Sequence, residues 1–331
     1  MLSAVKKSPS DVVLREAPIP EPGWDEVLVK VRSCGVCGGD LSSSKEYEPF
    51  GHEIAGEVVR TGEGVRHLPR GMRVVIESSA FCGQCDQCRN GRVELCTHMI
   101  SGNYSGFSEF AAVKARNCVP LPEDISYHDA ALIEPLGVAI DLVKTADISL
   151  GDHVLVIGCG SIGLMAMALA RRMGATRIWG ATRSHSLRKN ELAMELGAEG
   201  LIYTDQQSIS GYPFPGGKVN KILITTPPQV IPEALNLLSY GGMAAFLGFG
   251  GEREITIDAH RFHVRKLQLR SSFAAPGIYF PLAFELVRTG VIDPKKFITH
   301  TASLEELPAL MRSAGSERDK VIKCAMLAQD A

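Results

Sequence analysis

Over roughly the first 125 residues the apolar positions come in short alternating runs, such as EVLVKVRSCGV and EIAGEVVRTG, broken repeatedly by glycine and proline. Alternation with such punctuation predicts half-buried strands joined by turns. From Ser126 to Asp147 the texture becomes that of a helix, YHDAALIEPLGVAIDLVKTA. HVLVIG, a short run apolar at nearly every position, then opens a different regime. It is followed by the helical IGLMAMALARRMG, the strand TRIWGAT, the helical HSLRKNELAMELGA and the strand GLIYT. KILITT, IPEALNLLSYGG and MAAFLGF continue as strand, helix and strand. Apolar strands alternating with amphipathic helices predict a parallel, doubly wound sheet covered on both faces. After KLQLRSSF, the helix YFPLAFELVRTG and the closing strand KVIKCAML leave that alternation. The fold class predicted is α/β, with a doubly wound domain at 140–273 inserted between two parts of a β-rich domain, 1–139 and 274–331.

Composition narrows the partners. A length of 331 residues with 45% hydrophobic content favours two domains. The 35 Lys and Arg against 37 Asp and Glu give a net charge of −2, so no electrostatic footprint for nucleic acid or an anionic membrane is expected. The opening MLSAVKKSPSDVVL lacks the apolar core of a signal peptide, and no stretch reaches the roughly 18–20 apolar residues of a spanning helix. The expectation is a soluble, cytoplasmic protein.

In Gly158-Cys159-Gly160-Ser161-Ile162-Gly163 the pattern G-x-G-x-x-G follows HVLVIG and opens a helix. Among 33 glycines a lone match would mean little. In this context the glycines allow a tight turn and close backbone approach to a pyrophosphate, which the helix N-terminus attracts. The strand ending about 20 residues later should carry an acid for the ribose 2′-OH. It ends instead at Arg183-Ser184, and no acid occurs before Glu191. Arg183, Ser184, His185, Arg188 and Lys189 offer donors and positive charge there, predicting NADP(H) preference with NAD(H) still possible.

Nine cysteines without an export signal suggest metal ligation or catalysis. Cys118, Cys159 and Cys324 stand in or beside apolar runs and read as small buried hydrophobes. Cys82, Cys85, Cys88 and Cys96 lie close together in the otherwise polar FCGQCDQCRNGRVELC. Four thiolates can close a tetrahedral zinc site with no open position, which supplies the ordering energy this loop lacks. The spacing matches neither the bacterial nor the plant-type iron–sulfur pattern. A dispersed set comprises Cys34, Cys37, Asp40, His52, Glu53 and Glu134. A His beside a Glu is usually structural, but with a thiol and a cofactor domain it suggests a catalytic zinc: three protein ligands and one open position, polarising a substrate oxygen.

GHEIAGEVVRTGEGV, with Gly51, His52, Glu53, Gly56, Gly62 and Val65, resembles the signature of the zinc-containing alcohol dehydrogenases. With CGVCGGD, the four-cysteine lobe and VIGCGSIG, the whole chain resembles the medium-chain dehydrogenase/reductase family. Glu53 directly after His52, and IEPLGVAIDLV, resemble its sorbitol, polyol and sugar branch. The resemblance implies a Rossmann cofactor domain and a GroES-like catalytic domain with a zinc lobe at 82–96. It implies Cys37, His52 and Glu53 as catalytic-zinc ligands and Glu134 as an alternating or outer ligand, with Cys34 not a ligand. It also implies two zinc ions per chain, a homodimer or homotetramer, Gly248, Ser272 and Phe273 near the nicotinamide carboxamide, and Lys320 near the pyrophosphate.

Two departures stand out. The second residue after the ligand cysteine, usually Ser or Thr in the family, is Gly39; the fifth, often a relay His, is Ser42. Only 14 residues separate Cys37 from His52, a short linker where the family walls its substrate site. The substrate proton must then leave through Ser42 or Ser43, through water near Glu134, or through the substrate itself. The expected reaction is hydride transfer between a small-molecule secondary alcohol, of polyol, sugar or cyclitol type, and NADP(H). The alternatives are an amino-alcohol dehydrogenase using NAD and, outside enzymes, a zinc-stabilised binding module.

Overall fold

The computed structural model describes residues 1–42, 48–101, 104–248, 250–251, 253–273 and 276–329. Two compact units emerge, Met1–Gly137 with Ala274–Ala331, and Val138–Phe273.

In the first unit a seven-stranded sheet runs Ile298–Ala302, Lys323–Leu327, Glu26–Val36, Glu53–Thr61, Arg73–Ile76, Cys118–Pro120, with Phe110–Lys114 also paired to Glu26–Val36. The alternation of EVLVKV has a direct cause, since Val27, Val29 and Val31 are buried in the unit's core with Ile54, Val74 and Phe107. Strand register places the polar residues. Gly35 lies opposite Glu53, and Cys324 lies opposite Val36. Cys37, His52, Glu53 and Lys323 therefore collect at one end of three adjacent strands.

The second unit holds six parallel strands in the order Gly200–Tyr203, Arg177–Thr182, His153–Ile157, Val219–Ile224, Leu238–Phe246, Gln268–Ser271. In chain order this is 3-2-1-4-5-6, the Rossmann arrangement, with its topological switch point between the first and fourth strands. Leu155, Ile157, Trp179, Ile202, Ile222 and Ile224 bury the sheet, as their continuous apolar runs require.

Local boundaries differ from the pattern at three places. YHDAALIEPLGVAIDLVKTA forms two helices, Tyr127–Ala130 and Ile133–Thr145. The first is capped by Ser126, whose side chain accepts from the Asp129 N–H at 3.1 Å. The helix in IPEALNLLSYGG stops at Leu237, and Leu238 already pairs with Val219. The chain is already extended at Leu238, and Gly241, with φ of +73°, accompanies the register shift in LSYGG that follows. The closing strand starts at Lys323, leaving Lys320 in the preceding turn. No described helix is long and apolar enough to cross a membrane.

Candidate functional site

Cys37, His52 and Glu53 each point a ligand atom into one space, all within 4.8 Å of one another. Cys37 sits in the turn after the Glu26–Val36 strand, and Asp40 pins that turn by accepting the Cys37 N–H at 2.9 Å. Gly35 is needed here, because a Cβ at that position would collide with Glu53 Oε2. The glycine makes room for an ion pair between buried Glu53 and buried Lys323, whose Nζ lies 2.5 Å from Glu53 Oε1. Burial works against the charge on Lys323, but Glu53, Cys37 and Glu134 outweigh it and raise its pKa. Burial likewise opposes protonation of His52, yet the hydrogen bond to Cys37 and the charges of Glu134, Cys37 and Glu53 lift it to about 10. A site that pulls this hard for a cation suits a divalent metal. Sulfur, nitrogen and oxygen are also zinc's donor types, and a tetrahedral zinc would hold them about 3.3–3.8 Å apart. The residues fit the ion.

Glu134 is buried and accepts from Ser78 Oγ at 2.7 Å; it stands outside the group of three, yet its charge reaches His52, Glu53 and Lys323. Glu77, also buried, has its carboxyl pushed up to about 7 by desolvation and then by Glu134. Ser42 is exposed, and its hydroxyl turns back onto the carbonyls of Gly38 at 3.2 Å and Gly39 at 3.3 Å. It is engaged in the turn rather than aimed among the ligands. Ser43 lies outside the described residues. Cys34 is fully buried against Gly51 and Gly106, outside the group of three.

Cys82, Cys85, Cys88 and Cys96 form the second cluster. Their sulfurs lie 3.5 Å (Cys85–Cys88) and 4.0 Å (Cys82–Cys88, Cys85–Cys96) apart, and all nine cysteines are free. Tetrahedral Zn–S bonds of about 2.3 Å place sulfurs about 3.8 Å apart, so this spacing fits. Backbone N–H groups already aim at the sulfurs: Gln84 and Cys85 at Cys82, Cys82 and His98 at Cys96. The N–H groups of Cys88 and Thr97 pull Cys85 down to about 5, while desolvation and the neighbouring sulfurs push Cys88 up to about 12.

In the second unit, Ser161 and Ile162 begin the Ser161–Met173 helix with Gly160 as its N-cap. Gly158 has φ of +98°, and a Cβ at Gly163 would collide with the Gly158 carbonyl oxygen. Space around Gly160 is open: among the described residues, chain neighbours aside, no atom lies within 4 Å of where a Cβ would sit. The loop therefore has the turn, the close packing and the vacant approach that a pyrophosphate requires. Arg183 is exposed and its guanidinium has no partner among the described residues, whereas Arg188 pairs with Glu191 at 3.4 Å and Glu195 at 3.9 Å. Ser184 gives its N–H and hydroxyl to Asp205. Gly248 packs on the Thr226 carbonyl, Ser272 gives its hydroxyl to buried Asp141, and Phe273 is largely exposed. Lys320, in the first unit, pairs with Glu317 at 3.1 Å.

Sequence reasoning passed over Lys323, Ser78 and Asp205. A lysine inside VIKCAML was a usable signal, since a charge in a buried run needs a partner. Ser78 and Asp205 carried none, because their partners lie 56 and 21 residues away.

Residues 23–123 match the alcohol dehydrogenase GroES-like domain family and residues 161–288 the zinc-binding dehydrogenase family. Bovine sorbitol dehydrogenase is 30% identical over 332 residues, covering 92% of this chain and 90% of the relative. Among solved structures, a zinc-binding dehydrogenase from Sinorhizobium meliloti 1021 bound to NADP is 29% identical, with a TM-score of 0.86 and coverage of 98% of each chain. An alcohol dehydrogenase from Escherichia coli CFT073 complexed with NADH is 27% identical, with a TM-score of 0.89 and coverage of 99% of each. On the agreement of both domain families, the whole-length relatives and the two metal-suited clusters, the chain belongs to the zinc-dependent medium-chain dehydrogenases of the polyol and sugar branch and is an alcohol or polyol dehydrogenase.

Proposed function

We propose that the protein moves hydride between a secondary alcohol with a neighbouring hydroxyl, of polyol, sugar or cyclitol type, and NADP(H). The convergence of Cys37, His52 and Glu53 on one space carries the reading, since these donors suit a catalytic zinc. Zinc bound there supplies Lewis acidity to the substrate oxygen. Lys323 fixes the Glu53 carboxylate, and Asp40 fixes the turn that presents Cys37. Glu134, oriented by the Ser78 hydroxyl, is the base that takes the substrate proton, directly or through a water. Gly39 offers no hydroxyl for that task, and Ser42 is held by the turn. A vicinal hydroxyl on the substrate shortens the same path, which favours polyols over simple alcohols. Four thiolates of the lobe hold a second zinc with a structural role.

For the cofactor, the 158–163 loop receives the pyrophosphate, and Arg183 faces the 2′-phosphate, with Ser184, bonded to Asp205, and Arg188, paired with Glu191 and Glu195, beside it. The unpartnered guanidinium of Arg183 supports this, as does the lack of any acid between Arg183 and Glu191 along the chain. Gly248, Ser272 and Phe273 meet the carboxamide end, and Lys320 the pyrophosphate. The Gln268–Ser271 strand ends the second unit's sheet with one edge unpaired among the described residues, which suits assembly into a homodimer or homotetramer. The protein acts in the cytoplasm.

The test is kcat/KM for a panel of polyols, sugars, cyclitols and simple secondary alcohols with NADP and NAD, beside metal analysis. Vicinal diols with NADP should lead, with about two zinc ions per chain. Simple alcohols turned over as well as diols would refute the substrate class, and higher kcat/KM with NAD would refute the cofactor.

A further inference from the structure

The loop leaving the Arg177–Thr182 strand is braced from two sides. From within, buried Asn190 accepts from Thr182 Oγ1 at 3.0 Å and donates to the carbonyls of Arg183 at 3.0 Å and Ser184 at 3.2 Å. From outside comes Asp205, two residues past the Gly200–Tyr203 strand. One Asp205 oxygen accepts the Ser184 N–H at 2.8 Å; the other accepts the Ser184 hydroxyl at 2.6 Å and lies 3.5 Å from His185 Nδ1. These bonds, led by the Ser184 hydroxyl, hold the Asp205 carboxyl down at about 2, so it is an anion at any working pH.

A backbone N–H beside a hydroxyl is the donor pair a phosphate would seek on this loop. Here a carboxylate of the protein already holds both donors. A 2′-phosphate approaching Arg183 gains the guanidinium but meets Asp205 as a like charge, and finds Ser184's hydrogens taken. A ribose 2′-hydroxyl carries no charge and needs only an acceptor, so the same carboxylate does not repel it.

We infer that Asp205 is a cofactor-selectivity residue that holds both donors of Ser184 and sets a fixed negative charge against the 2′-phosphate, moderating the NADP(H) preference that Arg183 creates. The inference rests on the reading that this loop receives the ribose 2′-substituent. Its signature is a shift in the ratio of two affinities.

Isothermal titration of NADPH and NADH into the zinc-replete wild type, Asp205→Asn and Arg183→Ala tests it, with melting temperature as the control for folding. Asp205→Asn keeps the shape and one acceptor for Ser184 but removes the charge. It should tighten NADPH about ten-fold and leave NADH within about two-fold. Between about 50 and about 500 mM salt that gain should shrink, because the charge being removed is exposed to screening. A Kd ratio in Asp205→Asn within about two-fold of wild type, or a weakened NADPH, would overturn the inference. Asp205→Ala is the second variant: freeing both Ser184 donors outright, it should tighten NADPH at least as much, and equal weakening of both cofactors would instead make Asp205 a brace for the loop and nothing more. Arg183→Ala distinguishes failure of the cofactor reading from failure of the Asp205 role. If it weakens NADPH selectively while Asp205→Asn changes nothing, the cofactor reading stands and the role of Asp205 falls. If Arg183→Ala affects both cofactors alike, the loop does not meet the 2′-position and both fall.

Discussion

The two cysteine-bearing clusters of the first unit suit the same metal and are built by opposite means. The lobe draws four sulfurs from one short segment, and its Asp86–Arg89 helix and Val93–Leu95 turn bury no residue at all. Leu95, beside the last of these cysteines, is half exposed. With no fully buried apolar residue in its helix or turn, this loop's order depends heavily on whatever its sulfurs share. The Cys37–His52–Glu53 site is the reverse. Its ligands hang from the ends of paired strands that the core orders without them, and Glu53 already has a protein cation in Lys323. If the proposed zinc ions bind, metal orders the first cluster, whereas the fold prepares the second cluster for metal.

The sharpest way to break this contrast is to remove one ligand from each side. Cys96→Ser leaves three sulfurs and no core, so soluble folded protein should largely disappear, or the surviving fraction should melt more than about 10 °C lower. His52→Ala removes a ligand from a scaffold that stands by itself. It should fold and melt within a few degrees of wild type, retain about one zinc per chain, and lose activity by about a thousand-fold or more. Metal analysis and thermal melts of both variants decide the matter. A stable Cys96→Ser protein, or a His52→Ala protein that fails to fold, would reverse the roles assigned here.

Lys323 sharpens the contrast by asking how ready the inner site is without metal. Lys323→Met keeps the length of the side chain and leaves the Glu53 carboxylate buried without its cation. Stripping one member from a buried pair costs about 3–5 kcal/mol. The loss should be read in denaturant unfolding of protein that keeps the lobe metal but lacks metal at the inner site, and zinc at that site should restore part of it by taking over as the counter-charge. Equal destabilisation with and without zinc would mean that Glu53 does not reach the metal.

The same contrast explains what was legible in the amino-acid sequence. The lobe's ligands lie within one segment, so their spacing alone announces a tetrahedral site. The 158–163 loop is local too, and so are the apolar strands whose order becomes 3-2-1-4-5-6. Cys37, His52 and Glu53 were recoverable through the resemblance of CGVCGGD and GHEIAGEVVRTGEGV to a family signature, and strand pairing between Gly35 and Glu53 brings them together. Lys323 reaches Glu53 across 270 residues of sequence, and only the pairing of Cys324 with Val36 brings it there. Ser78 meets Glu134, and Asp205 meets Ser184, through contacts that no pattern of hydrophobicity encodes. The helix that gave way at Leu237 does so where the chain passes into strand pairing, Leu238 with Val219, which the helical pattern of the sequence did not encode.

Within the inner site, Glu134→Gln tests whether the carboxylate beside Ser78 handles the proton. The amide keeps the shape and can still meet the Ser78 hydroxyl, but it is not a base. General base catalysis is worth about 10²–10⁴-fold, so kcat should fall within that range while the Kd for NADPH stays within about two-fold. An unchanged kcat and pH profile would remove Glu134 from the proton path.

The smallest effect expected is also the most discriminating, because it adds a group rather than removing one. A Cβ at Gly39 would lie 3.7 Å from Cys37 Sγ, with no other atom of the described residues within 4 Å apart from its chain neighbours, so the described part of the turn has room for a serine. Gly39 does not take a positive φ, so the backbone there imposes no strain on a side chain. Gly39→Ser thus places a hydroxyl beside the ligand cysteine, where the proton of a simple alcohol otherwise finds no side-chain relay. A vicinal diol brings its own hydroxyl to the same place and has little to gain. The expected outcome is a rise in kcat/KM of about ten-fold for a simple secondary alcohol and of less than about two-fold for a diol, measured across pH on protein with unchanged zinc content. An equal rise for both substrates would show that the added hydroxyl helps every proton transfer, and that the substrate's second hydroxyl plays no part in its own oxidation. No rise for either would leave Glu134 sufficient by itself and make Gly39 a feature of the turn rather than of the chemistry.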